Sequence, residues 1–121
     1  MTDTSIENEI VAKGLTAPRV TPADIEAAIT SEHYFTAADG FMASKVTIGA
    51  TWTRGICDGP LSLLTFCVLV LRNGFTVTGE SACASPENFN AEIGRKIARE
   101  NAVQKIWPLM GYELRSKLAG K

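Results

Sequence analysis

The chain has 121 residues, 45% of them apolar, with 12 basic and 13 acidic side chains and a net charge of −1. This is the length of one domain, with residues for a modest core and a surface that a second subunit would help to bury. A coat for duplex nucleic acid is excluded, because that needs a strong basic excess; a signal peptide and a membrane helix are not expected either, since Met1 to Glu9 is polar and acidic and the most apolar run, Leu61 to Leu71, is far short of the roughly 20 residues that span a bilayer.

Residues 1–16 have weak patterning and read as a mobile arm or a short frayed helix, with a single α+β domain over residues 17–121. Thr21-Pro22-Ala23-Asp24 is a sharper signal: Thr21 suits an N-cap, Pro22 the first helical position and Asp24 the positive helix end. Ile25, Ala28 and Ile29 then form a narrow apolar stripe, which predicts a short helix to about Ser31. Asp39-Gly40 reads as a turn, and Ala43 to Thr53, rich in Val, Ile, Thr and Trp, as a half-solvated strand. Asp58-Gly59-Pro60 marks a loop. Leu61 to Leu71 reads as a strand apolar on both faces and therefore central or covered. Asn73-Gly74 points to a type I′ turn, with Phe75 to Ala82 pairing back.

Ser85-Pro86-Glu87 repeats the cap logic and predicts one long helix from Ser85 to Ile106. Phe89, Ile93 and Ile97 share one face of it; Ala102, Val103, Ile106 and Met110 lie on another, which suggests two buried contacts, one with the sheet and one with another element or subunit. Pro108 disfavours α geometry at Trp107, so the helix is expected to kink or restart before a last short helix over Leu109 to Lys117. The expected fold is α+β: a small, mostly antiparallel sheet with a central β-hairpin packed against one long helix, and short helices near both ends. A homodimer is expected from the two apolar sides of the helix and the small size.

Nucleophilic catalysis needs a histidine that accepts a proton, and the only one is His33, beside Tyr34 and Phe35. Metal hydrolysis lacks ligands for the same reason. Cys57, Cys67 and Cys83 have no metal-type spacing and read as reduced core thiols. Glu80, Glu87 and Glu92 are a generic set of carboxylates. On the long helix, Arg95 and Arg99 are neighbours four residues apart, with Asn88 and Glu92 a turn or two earlier. Guanidinium forks match phosphate oxygens, an asparagine can read a base or ribose edge, and Phe75 offers a ring for stacking. The bland alternative is a solvated face laced by a Glu92–Lys96 pair and capped by Asn88. Gly94 and Ala98 allow a close approach of another element, and Asn101 can tie down a strand or a partner backbone.

Four stretches, Arg72 to Cys83, Pro86 to Asn90, Gly94 to Ala98 and Lys105 to Tyr112, together with Ala17 to Pro22, resemble a widespread family of small tailed-phage proteins. That family includes the first-described type of Thoeris anti-defence sponge. The resemblance implies a non-enzymatic protein of the host cytoplasm that binds a cyclic ADP-ribose isomer, made from NAD by a bacterial defence enzyme, and holds it unchanged so that signalling stops. Some relatives form larger oligomers and hold cyclic oligonucleotide messengers. For this chain the resemblance implies a homodimer or higher homo-oligomer, with no cofactor, metal, membrane or duplex nucleic acid as partner. Arg95 and Arg99 are expected at the phosphates, Asn88 and Asn90 in polar recognition and Phe75 in stacking, with Phe89, Lys105 and Arg19 as further ligand residues. Phe41 to Gly59, including Trp52 and Arg54, is longer than the family pattern and reads as an edge strand, an oligomer contact or a lid; inhibition of a host protein through this segment is the alternative function.

Overall fold

A computed structural model describes residues 2–46 and 59–120. Helix α1 (Asp3–Ala12) and helix α2 (Pro22–Ala28) lead into strand β1 (Ile29–Thr36), followed by helix α3 (Ala37–Val46). After a 3-10 turn (Pro60–Leu63) come strands β2 (Leu64–Leu71) and β3 (Thr76–Ala82), a second 3-10 turn (Pro86–Asn88) and the 28-residue helix α4 (Ala91–Leu118). The sheet is antiparallel in the order β1-β2-β3, and α4 packs across it. The expected α+β class, with a hairpin against one long helix, is what the chain adopts.

The central strand alternates cleanly. Thr65, Cys67, Leu69 and Leu71 are buried, and Phe66, Val68 and Val70 on the other face are half-buried. The buried row meets Val77 of β3 and Ala98, Ala102, Val103 and Ile106 of α4, with Ile25 of α2 closing one side. Side chains on that row point one way because strand residues alternate with period two. Burial pushes the Cys67 thiol up, so it is an inert core thiol. Cys83 is half-buried and donates to the Ser85 carbonyl at 3.1 Å; Cys57 lies outside the described residues.

Small residues set how closely α4 approaches. A Cβ built on Gly79 would lie 2.1 Å from the Ala98 carbonyl oxygen and 2.3 Å from the Ala102 nitrogen. Helix backbone therefore rests directly on β3, and Asn101 fixes the contact by donating to the Glu80 carbonyl at 2.8 Å. Of the two tethers open to Asn101, the strand is the one made.

Several expectations are corrected. Ile29 to Thr36 is a strand, not the end of a helix: its inward row carries Glu32, Tyr34 and Thr36, so the apolar alternation that signals a strand is missing. Asp39-Gly40 lies inside α3, which also takes residues 43–46 of the expected Ala43–Thr53 strand; the remainder of that strand falls outside the described residues. The hairpin closes through a three-residue loop. Gly74 donates to the Leu71 carbonyl and Leu71 to the Phe75 carbonyl, both at 2.8 Å, and only Gly74 has positive φ, at 88°. That is a type I turn with a glycine bulge, since type I′ would need positive φ at Asn73 as well.

The long helix starts at Asn90, whose Oδ1 accepts the Ile93 N–H at 3.0 Å, and not at Ser85. It runs through Pro108 to Leu118, because Pro108 is exposed and the carbonyl that proline leaves unpaired, that of Gln104, belongs to an exposed residue. Ile93 and Ile97, expected on a buried face, are 56% and 44% exposed. The sheet takes the small residues Gly94, Ala98 and Ala102 instead, since only these permit the close approach.

Candidate functional site

The eight residues expected to meet a ligand are spread along the molecule. Phe75 sits on the hairpin loop, 56% exposed, beside a cavity of about 220 Å³ lined also by Ala28, Leu71, Arg72, Leu109, Met110 and Glu113. Arg95 lies fourteen positions before Leu109 on α4, which at 1.5 Å per residue is about 20 Å away. One subunit therefore does not bring Phe75 to Arg95. Asn88 is exposed in the second 3-10 turn, off the helix edge on which it was expected. Lys105 is exposed farther along α4, away from Arg95.

Arg99 and Arg95 differ sharply. Arg99 donates from Nε to Glu32 Oε2 at 3.0 Å and from its two terminal nitrogens to the Glu26 carboxylate at 3.2 and 2.8 Å. These bonds, to Glu26 first and then Glu32, raise its already high pKa further. Conversely, the bonds from Arg99 and from Tyr34 (whose OH donates at 2.7 Å) hold the Glu32 carboxyl below its usual range, against the opposing effect of burial. Burial first, and then the bond to Glu32, push the Tyr34 phenol up. The cluster ties α2, β1 and α4 together. Arg19 is likewise occupied, by Glu7 at 2.8 Å and the Leu15 carbonyl at 3.1 Å, and the expected Glu92–Lys96 pair forms at 3.3 Å.

Among the described residues, Arg95 makes no ion pair or hydrogen bond. It lines a cleft of about 100 Å³ with Tyr34, Phe35, Thr36, Asp39, Thr65, Phe89 and Ala91. Phe89, expected both as a ligand residue and as packing, is half-buried there, and Phe35 is tilted 34° against Phe66 with centroids 5.5 Å apart. Ala91 is the first residue of α4, so the positive end of a 28-residue helix opens on the same cleft, with Asn90 as its cap. Guanidinium, helix end and rings together suit an anion attached to a flat group.

Of the residues expected from the sequence, Arg95 and Phe89 line this cleft, while Asn90 does not and spends its side-chain oxygen on the Ile93 N–H; the wall built by Tyr34, Phe35, Thr36 and Asp39 was not anticipated. A signal was present. Thr36-Ala37-Ala38-Asp39 is a capping box in which Thr36 Oγ1 accepts the Asp39 N–H at 3.1 Å and Asp39 Oδ2 accepts the Thr36 N–H at 2.9 Å. It announces α3 and ends β1 at the cleft.

A larger cavity of about 490 Å³ lies between α1, α2 and α4, lined by Lys96 and Arg99 but also by Asp3, Glu26 and Glu100. Its acids outnumber its bases and already hold Arg99, so it is poorly suited to a phosphate. Among the described residues there is no cluster suited to a metal ion and no helix long and apolar enough to cross a membrane.

No curated protein and no solved structure matches the chain. A family model does, over residues 20–118, which includes β1, α3, the hairpin and all of α4. By that match, the chain belongs to the phage protein (N4 Gp49/phage Sf6 gene 66) family.

Proposed function

We propose that this phage protein is an anti-defence sponge: it binds a cyclic ADP-ribose isomer in the host cytoplasm, holds it without degrading it and so blocks Thoeris signalling. The observation that carries the reading is Arg95, a guanidinium without a counter-ion among the described residues, set over a cleft with two phenylalanines and the N-terminus of α4. A pyrophosphate or phosphate ring meets the arginine and helix end, and the purine meets an aromatic face. Arg99 takes a supporting role in this reading, holding the scaffold and not the ligand.

The volume argues for more than one subunit. A nucleotide needs roughly 300 Å³ or more, against about 100 Å³ in the cleft, and Ile93 and Ile97 offer exposed apolar surface for a homodimer on the same helix.

The test is retention. Purified protein is mixed with cyclic ADP-ribose isomers and cyclic oligonucleotides, freed of unbound ligand and heated, and the released molecules are identified. The reading predicts one intact cyclic ADP-ribose isomer. Recovery of an intact cyclic oligonucleotide alone would replace the ligand, altered products would make the protein an enzyme, and no retention would favour a protein target.

A further inference from the structure

The cleft beside Arg95 contains an acid as well as a base. Asp39 lines it from the first turn of α3, yet no ion pair joins Asp39 to Arg95. The carboxylate is held on one side only: Oδ2 accepts the Thr36 N–H at 2.9 Å, while Asp39's own N–H is bound to Thr36 Oγ1 at 3.1 Å. Among the described residues, Oδ1 accepts nothing, and the side chain is exposed.

A guanidinium and a carboxylate that share a cavity without neutralising each other ask two things of a ligand. It must bring an anion for Arg95 and, close by, a hydrogen-bond donor for Asp39. A phosphate alone satisfies only the first and is repelled by the second. A ribose phosphate satisfies both, because hydroxyls that donate lie a few bonds from the phosphate oxygens. The capping box fixes the carboxylate in advance, so little side-chain entropy is lost when it accepts a hydroxyl.

We propose that Asp39 determines specificity in this site: its Oδ1 accepts a ribose hydroxyl beside the phosphate that Arg95 holds, and the cleft selects ribonucleotides over deoxy counterparts. The proposal rests on the nucleotide-binding reading of the cleft.

Calorimetric titration of wild type and Asp39→Asn with a cyclic ADP-ribose isomer and with its deoxyribose analogue tests this. Asparagine keeps an oxygen to cap α3, and a thermal melt checks that the variant is folded. Wild type is expected to prefer the ribose form by roughly tenfold or more, the scale of a hydrogen bond to a charged group. Asp39→Asn is expected to lose most of that preference by weakening the ribose form alone. Equal binding of both probes by wild type, or a preference kept in the variant, overturns the role of Asp39 and leaves nucleotide binding standing. Binding of neither probe by wild type overturns the nucleotide reading, and this inference with it. If the variant fails to fold, equal binding of the two probes by wild type still overturns the role of Asp39.

Discussion

Arg95 and Arg99 stand about one helical turn apart and have opposite surroundings. Arg99 is spent on Glu26 and Glu32 with its side chain 28% exposed, while Arg95 has no partner among the described residues. Arg99→Ala should therefore cost about 1–2 kcal/mol, after discounting for water that reaches Glu26 and Glu32, and lower the melting temperature by several degrees. Arg95→Ala should leave the melt unchanged and remove the ligand. The pH dependence of the Arg99 contribution comes from Glu32. Its pKa is lowered in the fold, so the stability it adds is present above the ordinary value of 4.5 and is lost as pH falls through the depressed value. Arg99→Ala removes the main cause of the depression. The gap in melting temperature between wild type and Arg99→Ala should thus be wider at neutral pH than at about pH 3.5. A gap of constant width would detach Glu32 from Arg99.

At the scale of elements, the contact of β3 with α4 depends on one missing side chain. Gly79→Ala would drive a methyl group into helix backbone at 2.1 Å, and backbone on both sides cannot yield as a side-chain tip can. A loss of about 3 kcal/mol or more is expected in denaturant titration. Gly94→Ala is the contrast: its Cβ would meet Thr65 Oγ1 at 3.1 Å, and a gain in helix propensity of about 1 kcal/mol offsets the squeeze, so the variant should fold. The same contact explains what the sequence hid. Helical period marks Ile93 and Ile97 as core because they are large, but the sheet accepts only the small face of the helix. The hairpin, the central strand and the capped α2 were legible, since turn chemistry, a run apolar on both faces and an N-cap threonine followed by proline are local. Strand β1 was not, because polar Glu32 and Tyr34 occupy its inward row to build the Arg99 cluster, and half of the cleft went unseen with it.

Over the whole molecule, stability is concentrated in the sheet and α4, with α1 at the margin. None of the ten residues of α1 is buried. Its ties to the body include Trp107 Nε1 and Gln104 Nε2 donating to Asp3 at 3.1 and 3.4 Å, and Glu7 with Arg19. Amides of α1 should exchange with solvent well before those of α4 around Ala98 and Ala102, a difference that hydrogen exchange reads directly. Equal protection of the two helices would show that α1 belongs to the cooperative core. The central claim concerns the other end of the molecule. The most direct measurement is to incubate wild type and Arg95→Ala with a cyclic ADP-ribose isomer, remove the free ligand, heat both proteins and quantify what is released. Intact ligand recovered from wild type and none from a normally melting Arg95→Ala is the predicted result; equal recovery from both proteins would contradict it and place the site elsewhere.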